Sequence, residues 1–359
     1  MQNQYISPKQ CFLLLVGFTI GTATILVPTS AAALAHQDSW MTPPLAAIPG
    51  LGLVAMLVAL NRRFPGQSLV QYSSSILGIP GKLLGLLTIW FAFHLSSLVL
   101  RNIGSYIHVA VLFETPLWVT HLFIVTLGTF ALRLGIETIT RAFSILMLLN
   151  IPFYLIIITF STKTAKLDNL LPVLSHGWAP VIHASLNQAT FPMGEIVLFG
   201  MVIFHIKDIK NLNLYLSTGL LTTALAGVFA LATPVIVLGA DMVARTADAV
   251  LISVTNASGS NLIVPLLALS WFIFSVCKFL ICYYAFVLSA SHWARLSDYK
   301  PLIFPAGALI MVYSIIAYSN TIEEAEFAKR IWTVYAIPFE YGIPLVLLIA
   351  AVVRAKGKG

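Results

Sequence analysis

Of 359 residues, 59% are hydrophobic and 9% are charged, against about 25% charged in an ordinary soluble domain. Such a chain cannot wrap itself around one aqueous core, and its formal charge of +7 orients a membrane protein rather than binding nucleic acid. At about 20 residues per helical crossing, the length admits ten spans and leaves no room for a soluble domain.

Hydropathy places those spans at 11–34, 43–61, 83–112, 117–133, 142–160, 184–206, 212–238, 260–290, 302–319 and 335–353. The expectation is an all-α polytopic membrane protein, one transmembrane domain over 1–359 embedded in a lipid bilayer. Lys9, the apolar run 11–20 and Ala33-Leu34-Ala35 imitate a signal peptide. The stretch is too long and too broken for one and is read as a retained span. With the N-terminus in the cytoplasm, thirteen of the twenty basic residues fall on the inner side, Lys9, Arg62, Arg63 and Lys82 among them. Five fall outside, including Lys163 and Lys166, and two lie inside spans. That asymmetry predicts an even number of crossings with both termini inside.

Span one carries "IGTATILVP", in which Gly21, Thr22, Ala23, Thr24 and Pro28 interrupt an apolar run. After span two, "RRFPGQSLVQYSSSILGIPGK" at 62–82 reads as an amphipathic inner loop between Pro65 and Pro80. Spans three and eight, about 30 residues each, reach roughly 45 Å and must tilt or protrude. The outer stretches 161–183 and 239–259 are long enough for short surface helices. Cys11, Cys277 and Cys282 lie in apolar segments and are expected to be buried thiols.

Span six repeats the interruption. "NQATFPMGEIVLFG" places Phe191, Pro192, Met193 and Gly194 in an apolar run, followed at once by Glu195. Spans one and six hold corresponding places in two halves of five spans, 11–160 and 184–353. Paired breaks of this kind mark an inverted-repeat transporter fold with its binding site at the midplane. Unwound backbone cannot face lipid. Its free N–H groups attract a carboxylate, and its free carbonyls attract an ammonium. Gly21, Thr22, Ala23 and Thr24, with Phe191, Pro192, Met193 and Gly194 opposite, are therefore expected to bind a small zwitterion. One broken helix alone would more simply be a kink; the pair carries the expectation.

Three charges lie inside spans: Arg101, Glu195 and Lys278. Each costs about 2.5–3.5 kcal/mol even on lenient insertion scales and needs a partner or a cavity. Arg101 and Glu195 sit at equal depth, eleven residues from the outer ends of their spans at 112 and 184, so an Arg101–Glu195 ion pair is expected. Glu195 can alternatively line the site or carry a proton, and Lys278 can stand in for a bound cation. His94 is expected to be a core hydrogen-bonding residue. The sequence contains no HExxH, Walker, GxSxG or dinucleotide-binding motif, so neither an enzyme nor a cofactor is predicted.

"ISPKQ", "IGTATILVP", "RRFPGQSLVQY" and "FPMGE" over a loop-poor ten-span layout resemble the spore-germination permease family. These are the B subunits of nutrient-germinant receptors of bacterial endospores, within the amino acid–polyamine–organocation superfamily. The resemblance implies a LeuT-type five-plus-five inverted repeat with helices 1 and 6 broken, in the inner membrane of the spore. It also implies a germinant, usually an amino acid, sensed together with an A subunit and a lipoprotein C subunit. Superfamily transporters often carry Gly-x-Gly at the first break; here Gly21-Thr22-Ala23 places a methyl group there. A receptor that binds and signals is the leading expectation, a proton-coupled amino-acid permease the alternative, and an ion or water conduit the third reading.

Overall fold

A computed structural model of the chain describes residues 5–356 except 111, 113, 162–163, 207–208, 247 and 259–262. Lys163, Lys207 and Lys358, counted above among the loop charges, lie outside the described residues, as does the expected start of span eight at 260–262. The described residues form helices and turns, with no strand among them.

The first span is two helices. In α1 (Pro8–Ile20) Ser7 and Gln10 form a reciprocal cap and Pro8 opens the first turn, which satisfies amides that have no partner inside the helix. The N–H of Gly21 closes α1 on the carbonyl of Gly17 at 3.0 Å. The chain restarts as α2 (Ala23–Ala35), with Pro28 inside it, so the break is at Gly21-Thr22. A 3₁₀ turn, His36–Met41, leads into α3 (Thr42–Arg63). The expected inner amphipathic loop contains α4 (Leu69–Leu77), capped by Ser68 and Gln71. Arg354 donates to the carbonyls of Ser75 and Ile76, both at 2.8 Å, where a cation suits the negative end of the helix.

α5 (Ile79–Ala110) is 32 residues long, about 48 Å at 1.5 Å per residue. Among the described residues it makes the most extensive helix pair with the 31-residue α12 (Ile263–Trp293). Between them in sequence run α6 (Leu117–Leu134) and α7 (Ile136–Ser161), joined at Gly135, whose φ of +92° suits a residue without Cβ. Span six begins earlier than hydropathy suggests, at α8 (Trp178–Thr190), and breaks at 191–193. Beyond the break it winds as 3₁₀ helix, Gly194–Met201 and then Ile203–His205.

α9 (Leu212–Leu238) packs on α1 and α3. The outer stretches hold the expected short elements: a 3₁₀ turn at Leu167–Leu170, α10 (Ala240–Arg245) and α11 (Ala249–Ser258). After α13 (Lys300–Ile316) comes α14 (Thr321–Glu326). The last span then alternates π and α winding: π at Phe327–Ile331, α15 (Trp332–Ile337), π at Pro338–Gly342 and α16 (Ile343–Lys356). Six helical runs among the described residues are long and apolar enough to cross a membrane unaided. Among the shorter apolar helices are α1, which ends at the first break, and α13, of 17 residues. All three cysteines are buried free thiols.

Candidate functional site

The two breaks meet. Phe18 at the end of α1 packs edge-on against Phe199 of the 3₁₀ segment, with ring centroids 5.3 Å apart. Between the breaks runs the side chain of Lys278, from α12. Its Nζ lies 2.5 Å from Oε2 of Glu195 and donates to Oγ1 of Thr22 at 3.3 Å. It also stands 4.6 Å from the ring centre of Phe191 and 5.7 Å from that of Phe18, where ring faces favour a cation. Lys278, Glu195 and Thr22 are all 0% exposed. A buried pair survives the loss of hydration only when its geometry is close and its remaining donors are satisfied. The ammonium meets that need with a carboxylate, a hydroxyl and two rings.

This arrangement explains the interruption of span one. A Cβ on Gly21 would lie 2.8 Å from Cδ and 3.1 Å from Cβ of Lys278, and 2.9 Å from the carbonyl oxygen of Phe18. The first helix gives up a side chain and its regular winding where the lysine stem passes. An ammonium and a carboxylate do sit at the breaks, and both belong to the protein itself.

The eight break residues divide into two sets. Gly21, Thr22, Phe191 and Gly194 adjoin the buried charges. Ala23, Thr24, Pro192 and Met193 line a separate cavity of about 60 Å³ between α2, α8 and α9. Thr19, Gln188 and Thr223 supply its other polar side chains, and among the described residues no charged one lines it. A neighbouring cavity of about 100 Å³ shares Thr24, Ala226 and Ala230 with the first and extends towards α11 and Trp271.

The expected Arg101–Glu195 pair is not formed. Arg101, 4% exposed, instead bonds Oε2 of Glu324 at 2.9 Å and the carbonyls of Ser314 and Ile315 at 3.0 and 3.1 Å. Equal depth along two spans does not make two helices neighbours, and α5 packs against the C-terminal end of α13. The carbonyls of that end, with the carboxylate of Glu324 from α14 beside them, suit a guanidinium fork. His94 bonds the hydroxyl of Tyr335 at 2.8 Å, in keeping with its expected role. Among the described residues, no group of three His, Cys, Asp or Glu is placed to hold a metal ion.

One functional candidate was missed. Glu340, in the second π segment of the last span, is 0% exposed, and neither of its oxygens has a hydrogen-bond partner. Its carboxylate lies against Gly194, where any added Cβ would collide with it. The signal was present in "IPFEYGIP", an acidic residue between Pro and Gly in an apolar run, the same pattern that singled out Glu195.

The profile of a family described as "Spore germination protein" matches residues 5–322. The chain belongs to this spore germination family. It is 27% identical to spore germination protein KB of Bacillus subtilis (strain 168), over 99% of this chain and 97% of the relative. Identity to spore germination protein YndE of the same organism is 22%, over 98% of each chain. Spore germination protein A2 matches at 25% identity over 56% of each chain. Among solved structures, MhsT in complex with L-phenylalanine superposes with a TM-score of 0.71 at 14% identity, covering 97% of this chain and 99% of that one. Mhp1, a nucleobase-cation-symport-1 family transporter, superposes with a TM-score of 0.69 at 11% identity, covering 96% and 78%. At such identities the likeness is one of fold, and the fold is LeuT-type: ten spans, with the first and sixth broken. The chain is thus an integral membrane protein of germinant-receptor or permease-like type.

Proposed function

We propose that this protein is the membrane receptor subunit of a nutrient-germinant receptor. It binds a small germinant of the amino-acid class and passes a shift of its broken helices to an A subunit and a lipoprotein C subunit in the spore inner membrane. Residues 11–160 and 184–353 serve as two inverted five-span repeats of one transmembrane domain. The ligand occupies the cavity beside Ala23, Thr24, Pro192 and Met193. There the hydroxyls of Thr19, Thr24 and Thr223 and the side-chain amide of Gln188 meet its polar groups.

The observation that carries this reading is the Lys278–Glu195 pair. It ties the two breaks together beside the residues that line the cavity, so a ligand that moves either break must also move the pair. A helix break pinned by an internal ion pair favours two discrete positions over free cycling, which suits a receptor. Fold alone does not choose between roles. Buried carboxylates at the same breaks favour the second reading, a proton-coupled amino-acid permease.

Retention of radiolabelled amino acids by the purified protein in liposomes separates the two, measured with and without an inward proton gradient. Saturation near one ligand per protein, indifferent to the gradient, is the expected result. Accumulation beyond that stoichiometry, driven by the gradient, would establish the permease and overturn the receptor reading.

A further inference from the structure

Behind the breaks lies a charge imbalance that the ligand site does not use. Two carboxylates, Glu195 and Glu340, share one buried ammonium, that of Lys278, and all three are 0% exposed. Glu195 holds the ammonium directly at 2.5 Å. Glu340 contacts the backbone of the second break at Gly194 and lies within electrostatic reach of both other charges, with neither oxygen hydrogen-bonded.

Among the described residues, the groups packed around it do not supply a second cation. The 3₁₀ segment 194–201 brings Glu195 and α12 brings Lys278. From α5 comes His94, already bonded to Tyr335 of α15. Next to Glu340 in its own segment, Tyr341 donates to the carbonyl of Ala189 at 2.6 Å. α16 carries no charge before Arg354, which is committed to α4. An ionised, unpaired carboxylate in such a place is among the most costly arrangements a protein interior can hold.

We propose that Glu340 is a proton-binding site, carrying one proton at neutral pH in this arrangement, so that the Glu195–Lys278–Glu340 cluster is electrically neutral. A proton is the cation that needs no cavity, and the cluster is closed to solvent. The neutral carboxyl has an acceptor nearby in the second carboxylate, whose Oε1 lacks a hydrogen-bond partner. Because Glu340 touches the backbone at Gly194, its proton is tied to the position of the break. Loss of the proton to water leaves the electron pair on Glu340 and sets two anions against one cation, pushing the 194–201 segment away from the last span. This site stands apart from the germinant cavity and does not depend on what that cavity binds.

Infrared difference spectroscopy on the purified full-length protein in lipid nanodiscs, in H₂O and then D₂O, tests this directly. The expected result is a protonated-carboxyl C=O band at neutral pH that shifts in D₂O, is lost in Glu340→Gln and persists in Glu324→Gln. A band unchanged by Glu340→Gln, or no such band in the wild type, would overturn the proposal. So would a melting temperature that rises with sodium or potassium chloride over matched choline chloride without the acid band, which would place a metal cation there. The amide has the shape and neutrality of the protonated acid. Failure of Glu340→Gln to fold, with Glu340→Asp folding, would therefore also count against it.

Discussion

Gly21 and Lys278 fit together only because one of them has no side chain. The stem of Lys278 crosses span one where a Cβ on Gly21 would stand 2.8 Å from its Cδ and 2.9 Å from the backbone oxygen of Phe18. A flexible side chain can retreat from such a contact, but a backbone carbonyl cannot. Gly21→Ala is therefore expected to cost about 1–3 kcal/mol, the usual range for overpacking, seen as a lower melting temperature in detergent. An unchanged melting temperature would show that the break has more room than its geometry indicates. Gly21→Leu, by the same contacts, reports on packing before it reports on any ligand.

The Lys278–Glu195 pair makes a sharper prediction. Removing one partner of a buried pair leaves an uncompensated charge, and the loss is typically about 3–5 kcal/mol. Lys278→Met and Glu195→Gln should each destabilise by roughly that much, while the double variant should lose clearly less than the two losses together. A double-mutant cycle by thermal or denaturant unfolding measures the difference. Additive losses would mean that the charges act separately. The corresponding cycle for Arg101 and Glu195 should be additive, since each is paired elsewhere.

These two cycles mark what could be read in the sequence. Gly21, Pro28, Pro192 and Gly194 stand out because glycine and proline inside an apolar run have a local meaning. So do single charges such as Arg101 and Lys278, whose cost in a membrane does not depend on the fold. Partners are another matter. Glu324 lies in an outer connection at α14, and only the packing of α5 on α13 brings it to Arg101. That Lys278 would cross at Gly21 depends on α12 lying against α1, which no spacing along the chain encodes. The 3₁₀ winding of 194–201 is likewise imposed by packing, since "GEIVLFGM" has nothing local to distinguish it from α-helix. Glu340 is legible in the same local way, as an acidic residue between Pro338 and Gly342 in an apolar run.

Arg101 and Glu324 should respond unequally to mutation and to pH. Arg101 serves two carbonyls as well as the carboxylate, so Arg101→Met should cost more than Glu324→Gln. Burial holds the carboxyl of Glu324 above the usual carboxylate range, and Arg101 opposes that only in part. A carboxyl raised in the folded state binds its proton more tightly there than in the unfolded chain. Its stabilising contribution is then full at acid pH and is lost as pH rises through the folded value. Melting temperatures taken upward from about pH 4.5, the ordinary glutamate value, should fall less steeply in Glu324→Gln than in the wild type. A steeper fall in the variant would reverse the assignment.

The two cavities meet at Ala226 and Ala230 of α9, beside Thr24. If a germinant reaches the breaks along this path, filling the junction should block it without touching either buried ion pair. Ala226→Leu adds three carbons to a space of about 60 Å³, and a side chain entering a void costs far less than one forced into a packed core. The expected outcome is a melting temperature within about 1 kcal/mol of wild type in stability terms. The ligand-induced rise in melting temperature should vanish across a panel of amino acids. Retention of the full ligand response in Ala226→Leu would move the site away from this cavity. Loss of both stability and response would instead show that the junction is tighter than its volume implies, and Ala230→Val, with a smaller added volume, would then serve as the test.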